Sequence, residues 1–333
     1  MDLEFHYYIT FIVAAHAGYS YDQAQRIAYS SQYVDNNLYT HRIFCPLYSS
    51  IYENEVSATF SPFASQQVTK TLLCHHFLPG SGDDYYIVTP NSPLANHLLQ
   101  RALQSQDPYL IGIAAHAYSD TWAHQNFKGL YDSHNATGNF ASNLIPAIGH
   151  AQFGVVPDCV AVRWQDPRTG HFIFNNIRFR QAALCLFDHF AAFNKLPYSL
   201  AARRELSLQL RRLLGKTRNY FMLRHEITSR SRIAKYIATA RINYGYSLPY
   251  YDESLWWEEA VEYRNLNHYW KGSNYRESNW YRFQEAVKKW KSMAWQAISQ
   301  EGKLSVGNYA ENACEASPGN RPAYHTFVQL HTK

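Results

Sequence analysis

The residues best placed to do chemistry are His116, Asp120 and His124, in the phrase Ala115-His116-Ala117-Tyr118-Ser119-Asp120-Thr121-Trp122-Ala123-His124. Spacings of four residues put all three on one stripe of a helix, within an arc of roughly 80°. Residues 110–118 carry no charge apart from what His116 can acquire, so this helix is expected at the centre of the fold. An unpaired carboxylate buried there is strongly destabilising. Zinc removes that penalty, because imidazole nitrogen and carboxylate oxygen are its ordinary ligands. A hydrogen-bonded His–Asp–His core network is the alternative that the same spacing allows.

The elements that must position this stripe are helical. Apolar residues recur on a helical period over 5–17, ending before Gly18, and a second helix runs from about Ser20 to Tyr33 with Asp22 as its cap. Further helices are expected over 91–104, 109–127 and 175–193. Residues 201–246 form a basic helical pair broken near Gly215, with eleven Lys or Arg against two Glu, and 253–300 reads as a Trp-rich helix. Residues 36–69 read as loop with short elements, 77–84 as a turn, 143–153 as a short apolar segment, and the last thirty residues as a loosely packed tail. Few segments alternate with period two, so no sheet is required. The expectation is an all-α, multi-helix bundle: residues 1–200 a metal-binding catalytic core, residues 201–333 a helical extension packed on it.

Other ligand types stand beside apolar or turn residues: His6 between Phe5 and Tyr7, Asp35 after Val34, His75 and His76 before Phe77-Leu78-Pro79-Gly80, His150 after Gly149, and Asp158 after Pro157. Taken singly, each is more readily a satisfied core or turn residue. In order, they resemble the zinc-dependent phospholipase C and S1/P1 nuclease superfamily. Its ligands run N-terminus, His, Asp, His, HxxxD, His, then HxxxE or HxxxD. The chain offers His6, Asp35, His76, His116/Asp120, His124 and His150. The phrases Phe5-His6-Tyr7-Tyr8, Ser31-Gln32-Tyr33-Val34-Asp35, His76-Phe77-Leu78-Pro79-Gly80 and Gly149-His150 with Pro157-Asp158 are closer still to a bacterial family of that type with no assigned activity. The resemblance covers about residues 4–160.

That resemblance implies an all-helical zinc enzyme. Asp35, His76, His116 and Asp120 would hold one zinc; His124, His150 and a carboxylate a second; His6 and a shared Asp120 a third. Two departures stand out. In the superfamily the amino terminus of a mature Trp binds the third zinc, whereas here Met1 stands five residues before His6. The third site is then missing, weaker, or rebuilt with Glu4. The superfamily's acid four residues after His150 is Gly154, and Asp158 is expected to replace it from beyond the Pro157 turn. His75 and His76 remain alternatives for one ligand.

Two or three zinc ions suit phosphoryl transfer, with Asp35 as the acid that orients or deprotonates water. Tyr7, Tyr33, Tyr118 and Trp122, with Tyr8, lie beside ligands and can cage a choline group or stack a base, or simply pack the core. The expected function is a phospholipase C-like phosphodiesterase acting on phospholipid. The alternatives are an S1/P1-type single-strand nuclease and a non-catalytic zinc-stabilised binding protein. The net charge of +5 is too mild for a dedicated nucleic-acid coat. The five cysteines, Cys45, Cys74, Cys159, Cys185 and Cys314, form no CxxC pair and are expected reduced. No apolar run approaches a membrane span, although peripheral membrane contact by the basic pair is allowed. The acidic start at Asp2 and Glu4 is unlike a signal peptide, so the chain is expected in the cytoplasm or secreted without one.

Overall fold

The uncharged run 110–118 becomes the middle of a helix, Pro108–Ala123 (α5), whose residues from Tyr109 onward are all buried. Asp107 caps it by accepting from the Tyr109 amide, and Pro108 takes the first turn, where no amide hydrogen is needed. Around it pack Tyr21–Asn36 (α2), Gln66–His75 (α3), Pro93–Gln104 (α4), Asn175–Phe193 (α6) and Asn279–Glu301 (α10). The computed structural model describes residues 1–45, 50–59, 61, 65–81, 84–138, 144–197, 200–220 and 222–301. Residues 302–333, with Cys314, and Gly82 and Asp83 of the expected turn lie outside them.

The tightest approach is between α2 and α5. A Cβ on Gly112 would stand 2.4 Å from the Ile27 carbonyl oxygen and 2.5 Å from Ser30 Cβ, so only glycine lets the two backbones meet there. That contact sets the distance between the Asp35 and His116 helices. The cap of α2 is Ser20, in a reciprocal capping box with Gln23, and not Asp22. Its first neighbour is a π-helical turn, Glu4–Ile9, continuing as Thr10–His16 (α1).

The fold is predominantly helical but not strictly all-α. A four-stranded sheet in the order β2-β1-β7-β6 joins Arg42–Cys45 (β1) and Ser50–Glu53 (β2) to Val261–Arg264 (β6) and Asn267–Trp270 (β7), with β1 parallel to β7. A three-stranded sheet orders as β4-β3-β5, from Val162–Gln165 (β3), Phe172–Phe174 (β4) and Arg218–Asn219 (β5). The expected continuous helix over 253–300 is therefore Leu255–Ala260 (α9), the β6–β7 hairpin and α10. The hairpin turns on Asn265 and Leu266, both at positive φ, as a two-residue primed turn requires. Helix α5 stops at Ala123 rather than reaching Phe127, and Asn126 adopts φ +68°. The basic pair is Leu200–Leu214 (α7) and Met222–Tyr244 (α8), parted near Gly215 as expected.

One hydrophobic core runs through both parts of the chain, from Phe5, Leu110 and Phe179 to Tyr236, Trp256 and Trp290. A smaller one, with Phe77, Phe127 and Trp164, lies under the three-stranded sheet. Among the described residues no helix is long and apolar enough to cross a membrane, and Cys45, Cys74, Cys159 and Cys185 are free thiols.

Candidate metal centre

Helix α5 delivers His116 and Asp120 from successive turns, and its C-cap delivers His124. The C-cap of α3 delivers His76, α2 delivers Asp35, and the π-helical turn delivers His6. All of these converge, and Asp120, only 1% exposed, is the hub. Its Oδ2 lies 3.2 Å from His116 Nε2 and 3.3 Å from His76 Nδ1, and those two nitrogens are 3.2 Å apart. Asp35 Oδ1 stands over the triangle, 3.7 Å from His116 and 3.8 Å from His76. On the other side, Asp120 Oδ1 lies 3.2 Å from His6 Nε2 and accepts a hydrogen bond from the Met1 amino group.

The far nitrogens of these imidazoles decide which atoms face inward. His116 Nδ1 donates to the Ser31 carbonyl at 2.7 Å, and His76 Nε2 donates to the Ser57 carbonyl at 2.9 Å. A carbonyl can only accept, so each ring's hydrogen is committed there and, in the neutral ring, a lone pair faces Asp120. Three acceptors at 3.2–3.3 Å then repel unless a metal ion, or a second proton on His76, lies among them. A tetrahedral zinc with bonds of about 2.0–2.1 Å spaces its ligand atoms about 3.3–3.4 Å apart. The donor set and the spacing therefore both fit a zinc ion.

A second group stands beside the first. His124 Nε2 lies 2.9 Å from Asp158 Oδ1, and His150 Nε2 lies 3.2 Å from Asp158 Oδ2. Again the far nitrogens donate to carbonyls, His124 Nδ1 to His76 at 2.7 Å and His150 Nδ1 to Gly154 at 2.9 Å. The Met1 nitrogen links the groups, 3.3 Å from Asp158 Oδ1. Gly154 takes φ +58°, a value that favours glycine, and Asp158, four residues beyond it, reaches both His124 and His150. Among the described residues, His6, Asp35 and His116; His76, His116 and Asp120; and His124, His150 and Asp158 are the sets whose ligand atoms lie close enough to share an ion.

Protons hold the same cluster together when no cation is bound. Burial raises Asp120 most, yet the Met1 amine with His124, His116 and His6 holds its carboxyl well below the usual range. Burial likewise raises Asp158, but His150, the Met1 amine and His124 outweigh it and keep that carboxyl low. Asp35 behaves differently: burial pushes its carboxyl up, against the pull of His116 and His76. Burial lowers His76, but hydrogen bonding to Asp120 and the charge of Asp35 raise it overall.

Several sequence expectations are corrected by position. Glu4 does not join the cluster; its carboxylate takes Arg232 Nε and Nη2 at 2.7 and 2.6 Å and the Tyr236 hydroxyl at 2.9 Å. The Met1 amine stands in the cluster instead, because Asp2 straps this segment to 158–160 through its amide and carboxylate. His75 faces away, with Nδ1 on the Thr71 carbonyl. Tyr7, Tyr33, Tyr118 and Trp122 do not line an open cleft. All four are buried. Tyr7 packs on Tyr8, Tyr29 and Tyr251, and Tyr33 accepts from Trp280 Nε1. Tyr118 packs on Trp122 and donates to Asn91.

Other contributors left little mark in the sequence. Ser57 is held under His76 by its hydroxyl on the Val34 carbonyl and its amide on Asn37, and buried Gln284 of α10 donates to Asn37. With Arg232 and Tyr236 on Glu4, this shows what the C-terminal third does locally: α8 and α10 brace the segments that carry the ligands. Asn37, polar just past a helix end, had a readable signal; the carbonyls of Ser31 and Ser57 had none.

A family model described as "Family of unknown function (DUF6765)" matches residues 1–298, and the chain belongs to that family. No curated protein and no solved structure matches it.

Proposed function

We propose that the chain, a member of that family, is a zinc-dependent phosphoric ester hydrolase, a phospholipase C-like phosphodiesterase with two or three zinc ions in a helical bundle of the phospholipase C/P1 nuclease type, a reading that rests on the cluster and not on the membership. The observation that carries the reading is the triangle of His76 Nδ1, His116 Nε2 and Asp120 Oδ2, three lone-pair atoms turned on one another while the ring hydrogens sit on carbonyls. Asp35, His76, His116 and Asp120 would hold one ion and His124, His150 and Asp158 another, with His6 and Asp120 sharing a third. Zinc there would supply Lewis acidity toward phosphoryl oxygens and lower the pKa of water.

The chain's own residues divide the remaining work. Asp120 is sealed from solvent and is a ligand and linker. Asp35 has a side chain 33% exposed, so it can meet both water and the cluster, a position from which it can take a proton from a nucleophilic water. The second opening lies at His150 and Asp158, 20% and 18% exposed. In the neighbouring sequence Leu144, Ile145 and Val155 present apolar side chains to solvent, and Gln152 donates to the Ile145 carbonyl. Exposed apolar side chains in this stretch of chain would favour an amphiphilic substrate over single-stranded nucleic acid if they flank the opening.

Protein purified without chelator should carry two or three zinc ions by elemental analysis, and the loaded protein should release phosphorylcholine from lecithin faster than it cleaves single-stranded DNA. Less than about half an equivalent of transition metal would sink the metal reading. Faster cleavage of DNA would transfer the site to nuclease chemistry. Full metal with neither activity would leave a zinc-stabilised binding protein.

A further inference from the structure

We propose that the cleft between the β3–β5 edge and α8 is a binding site for a phosphate-bearing anion, separate from the His–Asp cluster. The cavity holds about 260 Å³ and is lined by Val160, Ala161 and Val162 together with Lys216, Arg218, Ser231 and Lys235. No Asp or Glu lines it. Lys216, Arg218 and Lys235 are exposed and have no acidic partner among the described residues. The fourth cation, Arg232, is buried and already committed to Glu4.

The arrangement is built by backbone rather than by chance proximity of surface side chains. The Arg218 amide donates to the Ala161 carbonyl at 2.9 Å, and β5 runs parallel to β3 with Val162 opposite Arg218. Asn219 in turn accepts from Arg163 at 3.0 Å, fixing the strand that carries Arg218. Gly215, at φ +72°, ends α7 and turns Lys216 into the same cleft wall. Lys216, Arg218 and Lys235 all line the one cavity, so an anion bound there would be attracted by all three. A guanidinium fork, two ammonium groups and a serine hydroxyl suit the several oxygens of a phosphate. The cavity exceeds the size of inorganic phosphate, so it can take a phosphate with its attached group.

The site is distinct from the metal cluster. No residue of the cluster lines the cleft, and Arg232, which does, is paired with Glu4 of the π-helical turn that carries His6. Ligand chemistry of this kind comes from two sources, a soluble phosphate compound or an anionic lipid headgroup.

The test uses the full chain, metal-loaded and metal-free, titrated calorimetrically with inorganic phosphate at about 0.15 M salt, where loose surface attraction is screened. Saturable binding should persist in the metal-free protein and weaken by about tenfold or more in Arg218→Ala/Lys235→Ala, whose exposed positions leave folding intact. A parallel arm measures co-sedimentation with phosphatidylcholine vesicles, with and without phosphatidate. Binding only to the phosphatidate vesicles, lost in the double variant, supports the site and names a headgroup as its ligand. Phosphate binding without vesicle binding supports it with a soluble ligand. Phosphate binding that needs metal and survives the double variant belongs to the cluster and overturns the proposal, as does the absence of saturable binding to either probe.

Discussion

The two halves of the candidate centre are built in different ways. Asp35, His76, His116 and Asp120 come from helices or helix ends packed around α5, and three of the four are nearly sealed from solvent. His124, His150 and Asp158 come from a helix cap, a loop and a turn beyond Pro157, and two of the three are partly exposed. The helical half gets its geometry from core packing, so it should be rigid and costly to disturb. The turn half gets it from a few hydrogen bonds, such as His150 to Gly154, so it should lose a ligand with little effect on the fold.

Asp120 is where the halves meet, and its removal should have the largest effect. Asp120→Ala strips the shared carboxylate from two imidazole sets and leaves the Met1 amine facing an emptied site. The expected loss is most of the bound metal and about 3–5 kcal/mol of stability, as when one partner of a buried ionic group is deleted. Elemental analysis and calorimetric melting of the variant read both. Unchanged metal content would show that the helical half does not depend on its hub.

Gly112→Ala should separate the halves without touching a ligand. The new Cβ would meet the Ile27 carbonyl oxygen at 2.4 Å, so α2 and α5 must move apart. Overpacking of this kind costs about 1–3 kcal/mol. Since α2 carries both Asp35 and the Ser31 carbonyl that orients His116, metal should leave the helical half first. The expected outcome is about one equivalent lost at higher chelator sensitivity, with His124, His150 and Asp158 still able to bind. Equal loss from both halves would argue against their independence.

Asp158→Asn attacks the turn half alone. It keeps the side-chain shape but removes the charge between His124 and His150. About one equivalent of zinc and most turnover should go, while the fold survives with a smaller stability loss than in Asp120→Ala, because Asp158 is partly exposed and Asp120 is sealed. Full zinc and normal turnover would assign the role to water or another acid. Acid should act unequally on the halves. Imidazole must be unprotonated to bind metal. Burial lowers His76 but its Asp120 hydrogen bond and the charge of Asp35 raise it overall, whereas burial leaves His150 lowered. As pH falls, the helical half should therefore lose its metal first, read as metal release against pH.

The difference between the halves also explains what the sequence reveals. The i, i+4 spacing of His116 and Asp120 on an uncharged helix is a local pattern with a defined period, and the helix over 175–193 was legible for the same reason. Asp158 was legible only through the failure of Gly154 to carry an acid. The strands were not legible: β1, β2, β6 and β7 are four residues each, and β1 pairs with a strand more than two hundred positions away, which no local period encodes. Nor was the Ser57 carbonyl, since a backbone acceptor has no residue type. The aromatic residues misled because lying next to a ligand in sequence places a side chain on another face of the same helix, as with Tyr118 beside Ala117 and His116.

The smallest effect is expected at His75, adjacent to a proposed ligand yet excluded from the site. At the end of α3 the chain leaves helical geometry at His76, φ −121°, and that turn sends the two rings apart. His76 reaches Asp120 and His116, whereas His75 bonds the Thr71 carbonyl one turn back, and its Nε2 has no hydrogen-bond partner among the described residues. His75→Gln should therefore leave metal content and turnover unchanged and alter stability by about 1 kcal/mol, the cost of refitting one buried polar side chain. His76→Gln should lose about one equivalent of metal, because a neutral amide is a poor substitute for imidazole. The pair is best read by metal content rather than by melting, since both residues are buried and either change will lower the melting temperature somewhat. Loss of metal in His75→Gln with retention in His76→Gln would reverse the assignment and require the end of α3 to turn the other way when the ion binds.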